Sequence, residues 1–277
     1  PAQNEPCKNS WKVPKPMYSI NLGSKLWKSM SEGSHQSNWN NSISPSKKKV
    51  RSYIQSHCFK LMPPHLQCDT RDAVGMRWIL TWKSMQDGTD AKKAKARAVI
   101  LGYQDKAYEH KQTASPTLSR VGRQAFLVFC AQMHFRIQKG DVSSAFLQGD
   151  KLEEDMWVIP TREICQALNV PEGTVTKLER AAYGLVEAPL WWYKSVSKFL
   201  ASIGYVRMKS EPYMWVFYDE QHQPRSIISG HVDDFLFGGS PHDEVHLKLM
   251  AAIQAKFSWG QWENTPFVQC GDRKSVV

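Results

Sequence analysis

The stretch 226-SIISGHVDDFLFGG-239 sets two apolar runs, Ile227–Ile228 and Phe235–Phe237, on either side of Gly-His-Val and two adjacent acids, Asp233 and Asp234. Apolar runs broken by Gly and Asp read as two strands joined by a tight turn, with the acids at its tip. Side by side, the carboxylates repel each other, and a divalent cation would neutralise both. Asp is also a favoured turn residue, so the pair taken alone reads first as a solvent-facing turn.

A third carboxylate changes that reading. In 135-FRIQKGDVSSAFLQGD-150 a strand alternates at Phe135 and Ile137 and breaks at Gly140-Asp141, leaving Asp141 at its end. Two strand-end carboxylate sites on one antiparallel sheet are what is needed to hold two Mg²⁺ ions about 3.5–4 Å apart for in-line phosphoryl transfer.

Working outward, 73-AVGMRWILTWKSMQDGTDAKKAKARAVILGYQ-104 reads as a hairpin turning at Asp87-Gly88, with Lys92, Lys93, Lys95 and Arg97 on the return strand. A helix follows, opened by Ser115-Pro116 or by Ser119, with Val121, Ala125, Val128 and Phe129 on one face. Residues 156-MWVIP-160 form a short strand, and 188-APLWWYKSVSKFLASIG-204 a helix with Trp192, Val196, Phe199, Leu200 and Ile203 at three-and-four spacing. Ser240-Pro241 caps a last helix with Val245, Leu249, Ile253 and Phe257 inward. Hairpins packed against helices, without a regular strand–helix alternation, specify an α+β fold.

With 277 residues, 42% of them hydrophobic, the chain can bury a substantial core. Its formal charge of +10 is concentrated early: residues 1–60 hold ten basic and two acidic residues. That segment is rich in Ser, Asn, Lys and Pro without a sustained period and reads as a basic linker or lead-in, in which 47-KKKVR-51 suits phosphate contact. Cys7, Cys58, Cys68, Cys130, Cys165 and Cys270 form no C-x-x-C pair, which argues for reduced thiols. The spacing of His57, Cys58, His65 and Cys68 matches no zinc pattern. In 242-HDEVH-246, Asp243 stands where a metalloprotease helix needs Glu. No apolar run approaches a membrane span, and no leader precedes Pro1, so a soluble intracellular chain cut from a longer polyprotein is expected.

The succession 141-DVSSAFLQGD-150, 178-LERAAYGLVEAPLWWY-193 and 231-HVDDFLFGG-239, preceded by 75-GMRWILTWK-83 and 94-AKARAVILGYQ-104, resembles the reverse transcriptase domain of copia-type retrotransposon polyproteins. The resemblance covers about residues 73–270 and implies a right-hand polymerase fold. Residues 1–62 would be the lead-in, 63–134 the fingers, 135–240 the palm, and 241–277 the palm helix with the start of an incomplete thumb. It implies Asp141 and Asp233 as principal metal ligands and Asp234 as the auxiliary acid. Phe146 would be the gate that crowds a ribose 2′-hydroxyl, and Tyr183 and Gly184 would lie by the incoming nucleotide. Arg97 with Lys95 would clamp the triphosphate, and His231 and Val232 would stand beside the primer terminus. Family members most often carry Tyr where His231 stands and Lys-Gln where Val186-Glu187 stand.

The resemblance further implies two Mg²⁺ (or Mn²⁺) ions, an RNA template, a DNA primer and deoxynucleotides as partners, and the integrase and RNase H parts of a Pol polyprotein, with no membrane. The setting would be a cytoplasmic particle or the nucleus. Three readings stand: a polymerase, a truncated remnant that binds nucleic acid without turnover, and another metal-dependent phosphotransferase or nuclease.

Overall fold

The computed structural model describes residues 45–84, 92–264, 267–269 and 272–274. The expectations for residues 1–44, for the Asp87-Gly88 turn and for Cys7 and Cys270 lie outside these. Residues 45–62, expected to continue the linker, instead open with helix α1 (Pro45–Gln55). The lysine run hides one apolar face: Val50, Tyr53 and Ile54 recur at helical spacing and pack into a core. Tyr53 is 1% exposed, donates its hydroxyl to the Ala98 carbonyl at 2.9 Å and stacks on Phe59 at 5.6 Å.

Two sheets organise the rest. β1 (Phe59–Lys60) precedes β2 (Val74–Ser84) and β3 (Lys92–Ile100), which pair antiparallel from Met76↔Ile100 to Ser84↔Lys92. α2 (Arg120–Gln132) leads to β4 (Arg136–Val142), then β5 (Lys151–Ile159), α3 (Arg162–Ala167) and β6 (Thr176–Arg180). The first sheet runs β1-β6-β5-β2-β3, with β2 and β5 parallel and its other pairs antiparallel. α4 (Ala188–Ser202), β7 (Val206–Arg207), β8 (Met214–Tyr218), β9 (Pro224–His231), β10 (Asp234–Gly239), α5 (Glu244–Lys256) and β11 (Trp259–Asn264) follow. The second sheet, antiparallel throughout, runs β11-β4-β10-β9-β8-β7, and β12 (Phe267–Gln269) pairs separately with β13 (Asp272–Lys274). The fold is mixed α+β.

Each core draws on residues from both sides of residue 135. Phe126 and Cys130 of α2 belong to the core of the second sheet, whereas Val158, Ile164 and Leu178 belong to that of the first. Pairing decides this: β5 has hydrogen-bonding partners on both sides within the first sheet, and α2 turns its buried face to β9 and β10.

Three local expectations are corrected. The inward face of α2 is Gly122, Phe126 and Cys130, while Val121 and Val128 are 75% and 57% exposed. The buried Glu211 carboxylate accepts the Ser119 hydroxyl at 2.6 Å and its N–H at 3.2 Å, which fixes the rotation of the helix at its N-cap. α5 is capped by Asp243, accepting from the Val245 N–H at 2.9 Å, and not by Ser240-Pro241. Asp243 holds Arg225 as well, at 2.7 and 2.8 Å, so its place after His242 serves the fold. Finally, β4 runs through Gly140-Asp141 instead of breaking there, because both neighbouring strands continue the ladder.

His246 on α5 is buried against Ser226, Nδ1 to Oγ 2.8 Å, and Ser226 meets the Tyr205 hydroxyl at 2.7 Å. Burial holds the imidazole below its ordinary 6.5, against the pull of Asp243. The unfolded chain takes up that proton first, so the associated stability is present above about pH 6.5 and is lost as pH falls through the lower folded value. Thermal denaturation against pH is expected to show wild type losing stability on acidification from neutrality and His246→Gln losing less. Parallel curves would overturn this account.

Candidate active site

β9 and β10 form the hairpin expected from the sequence, but its tip is Val232-Asp233, and Asp234 is already the first residue of β10, opposite His231. Val232 has φ +59°, a left-handed conformation unfavourable for a β-branched residue. Three hydrogen bonds hold the turn. Val232's carbonyl accepts Trp192 Nε1–H at 2.6 Å and the Tyr213 hydroxyl at 3.1 Å, and Asp233's carbonyl accepts the Val142 N–H at 2.8 Å. Trp192 and Tyr213 are buried in the core, so the strained turn is bolted to the core of the second sheet. Sequence reading took Trp192 as packing alone; the signal available was that a buried indole N–H needs an acceptor.

Asp141 sits opposite Asp234 on the adjacent strand. The rings of Trp259 and Trp262 lie so close over Gly140 that a Cβ there would be 3.0 and 3.2 Å from them, which seats β11 against β4. Gln148 clamps the loop after Asp141 to the start of β11: its amide donates to the carbonyls of Ser143 and Ser258 and accepts the Ser258 N–H.

The carboxyl of Asp141 is held above the usual range, first by burial and then by the charges of Asp233 and Asp234, with Lys139 and Lys95 opposing. Asp141 and Asp233 are therefore close enough to repel. Asp234 is also raised, chiefly by burial, but its carboxylate lies 3.4 Å from Lys139 Nζ, which in turn is 3.6 Å from Glu263. Among the described residues no group of three His, Cys, Asp or Glu side chains is gathered closely enough to hold a metal. The donor set Asp141 plus Asp233 nevertheless fits Mg²⁺, which uses one or two carboxylates and completes its shell with water and substrate phosphates.

Of the other predicted residues, Phe146, Tyr183, Arg97 and Lys95 lie in the neighbourhood of these carboxylates. The ring of Phe146 lies 4.8 Å from that of Tyr183. Burial pushes the Tyr183 phenol up to about 12, assisted by Asp233 and Asp141 and opposed by Arg97, so all four share one neighbourhood. Tyr183's carbonyl accepts the Ile100 N–H at 2.7 Å, tying this loop to the end of β3, the strand that carries Lys95 and Arg97. Gly184 has φ +97° and faces the Ile100 carbonyl. His231 ends β9, half-buried. Glu187, one of the departures from the family pattern, reaches Lys111 at 3.6 Å, and Lys111 also holds Asp105 at 2.9 Å. Lys49 of α1, read from the sequence only as part of the run 47-KKKVR-51 suited to phosphate contact, donates to Ser144 Oγ at 3.0 Å.

Comparison with known proteins gives the class. The family model described as reverse transcriptase (RNA-dependent DNA polymerase) matches residues 65–262. The chain belongs to the reverse transcriptase family, in its copia-type branch. It is 31% identical over 220 residues to the retrovirus-related Pol polyprotein from transposon RE2 of Arabidopsis thaliana, covering 78% of this chain and 14% of that protein. It is 29% identical over 222 residues to the polyprotein from transposon RE1 of the same plant, covering 76% and 14%. With the polyprotein from transposon TNT 1-94 of Nicotiana tabacum it shares 30% identity over 174 residues, covering 59% and 12%. The matched stretch is thus about a seventh of the length of these relatives.

Proposed function

We propose that this chain is the polymerase part of a copia-type Pol polyprotein and adds deoxynucleotides to a primer 3′-hydroxyl on an RNA template. The observation that carries the reading is that Asp141 on β4 and Asp233 in the β9–β10 turn lie in one electrostatic neighbourhood, shared with Tyr183, which packs on Phe146, and with Arg97 of the basic strand β3. In this reading the second sheet is the palm and the first the fingers.

Asp141 and Asp233 would hold two Mg²⁺ or Mn²⁺ ions, which when bound supply the charge neutralisation that lets a primer oxygen displace pyrophosphate. Asp234 keeps Lys139 and the β4–β10 pair in place as the supporting acid. Arg97 and Lys95 bind the triphosphate, a task suited to the guanidinium fork and the compact ammonium charge. Phe146, backed by Tyr183, limits the space at the sugar. Val232 and His231 present the turn to the primer end, and the hydrogen bonds from Trp192 and Tyr213 keep that turn from relaxing.

The test is primer extension by purified protein on an RNA template with Mg²⁺ or Mn²⁺. Extended product is expected; duplex binding without extension would instead support a non-catalytic remnant, and strand cutting without addition a nuclease. Within the same assay, Phe146→Val is expected to raise ribonucleotide incorporation relative to deoxynucleotide by roughly 10- to 100-fold, the scale on which a pocket rejects one added group. An unchanged ratio would remove Phe146 from the sugar pocket.

A further inference from the structure

We propose that Lys49, from the helix upstream of the family-matched span, binds the polyphosphate of the incoming nucleoside triphosphate together with Lys95 and Arg97. The inference rests on the polymerase reading above for the identity of the ligand, and on geometry for the site. The family match begins at residue 65, so α1 lies outside it.

The docking of its helix places Lys49. Tyr53, four residues on and therefore on the same helix face, anchors α1 to β3 through its hydrogen bond to Ala98. Ala98 follows Arg97 directly, so the anchor fixes Lys49 beside the strand that carries Lys95 and Arg97. The ammonium of Lys49 donates to Ser144 Oγ at 3.0 Å and stands 5.7 Å from the centroid of the Tyr183 ring. Ser144 is itself held in a left-handed conformation, φ 54° and ψ 46°, between Asp141 and Phe146. Lys49 therefore reaches both loops of the candidate nucleotide site, the one carrying Ser144 and the one carrying Tyr183.

The electrostatics call for an anion of high charge. Lys49 is pushed below the usual lysine range, first by burial and then by Lys95, Lys48 and Arg97, with Asp141 opposing. Folding has gathered like charges around a half-buried ammonium, an arrangement that costs free energy in the unliganded protein. A hydroxyl and a ring face compensate only in part, because neither carries a full negative charge. A triphosphate, with several charges on adjacent oxygens, fits that field, whereas a nucleic-acid strand offers one charge per phosphate. Contact with Ser144 and Tyr183 also sets Lys49 next to the Phe146–Tyr183 pair, where a nucleoside would lie, and within the field of Asp141.

Two measurements on the full chain test this. In primer extension, Lys49→Met is expected to raise the deoxynucleotide KM about tenfold, the usual size of one lost charge-assisted contact, while Lys49→Arg restores most of the affinity. Lys209→Met, which removes an equal charge from an exposed lysine outside the group around Lys49, is expected to leave KM unchanged. Without primer or turnover, calorimetric titration with inorganic tripolyphosphate is expected to show the same ordering of the variants. An unchanged KM and unchanged tripolyphosphate affinity in Lys49→Met would overturn the proposal. So would weaker duplex binding with a salt slope reduced by about 1 and KM intact, the signature of a backbone-phosphate contact. If wild type binds tripolyphosphate through Lys49 but extends no primer, the polymerase reading fails and the polyphosphate site stands. If extension proceeds and Lys49→Met behaves as wild type in both assays, the polymerase reading stands and this assignment fails.

Discussion

Asp233→Asn is expected to reduce metal-dependent primer extension by about 10³-fold or more, since it removes half of the carboxylate pair that would carry the ions. The same change is expected to leave the metal-free protein as stable as wild type or more so. Asp233's charge is one of the causes that hold Asp141 above its ordinary range, and an amide of the same shape relieves that repulsion. Val142's N–H bonds to the Asp233 backbone carbonyl, not the side chain, so the turn survives the substitution. Activity lost with stability retained is what separates a metal-ligand role from a structural one. Extension rates near wild type would end the two-carboxylate reading. Asp234→Asn is expected to differ in kind, with a smaller loss of rate and a loss of stability, because its carboxylate is engaged by Lys139.

Gly184→Ala is expected to destabilise the fold by about 3 kcal/mol or more, combining a left-handed backbone with overpacking. For a chain of this size that corresponds to a melting temperature lower by roughly 6–12 °C. A Cβ at position 184 would stand 2.0 Å from the Ile100 carbonyl oxygen and 2.9 Å from its nitrogen. Both are main-chain atoms of β3 beside the hydrogen bond to Tyr183, so neither can turn aside. The loop must move instead, taking Tyr183 away from Phe146 and raising the nucleotide KM. Gly173→Ala is the control: its φ is +87°, but nothing lies within 4 Å of the added carbon. There only the conformational cost of about 1 kcal/mol applies. Equal melting temperatures for the two variants would show that the contact with β3 does not matter.

The α+β class was legible in the sequence because strands and amphipathic helices impose their periods locally. The hairpin around Asp233 and the β2–β3 hairpin are both present in the structure. The rotation of α2 was not legible, because the face chosen depends on Glu211, ninety-two residues later, reaching Ser119. α1 was missed because three lysines in a row mask an apolar face only three residues wide, and the partner that makes the face useful is a strand forty-five residues away.

The same division runs through the site. Strand ends and turn pattern by themselves pointed to the acids Asp141, Asp233 and Asp234, whereas Phe146, Tyr183 and the role of the basic strand came from the resemblance to the copia-type family. Tertiary structure decided how they are used. Antiparallel pairing puts Asp234 opposite Asp141 and within reach of Lys139, and the two-residue turn separates it from Asp233, although the two are neighbours in the chain. Two buried donors, Trp192 and Tyr213, hold Val232 in a conformation that its own side chain disfavours. Lys49 enters only because a helix docks on β3. Side-chain chemistry is written residue by residue, but electrostatic neighbourhoods and strained backbone are set by what packs across long sequence separations, which no local pattern records.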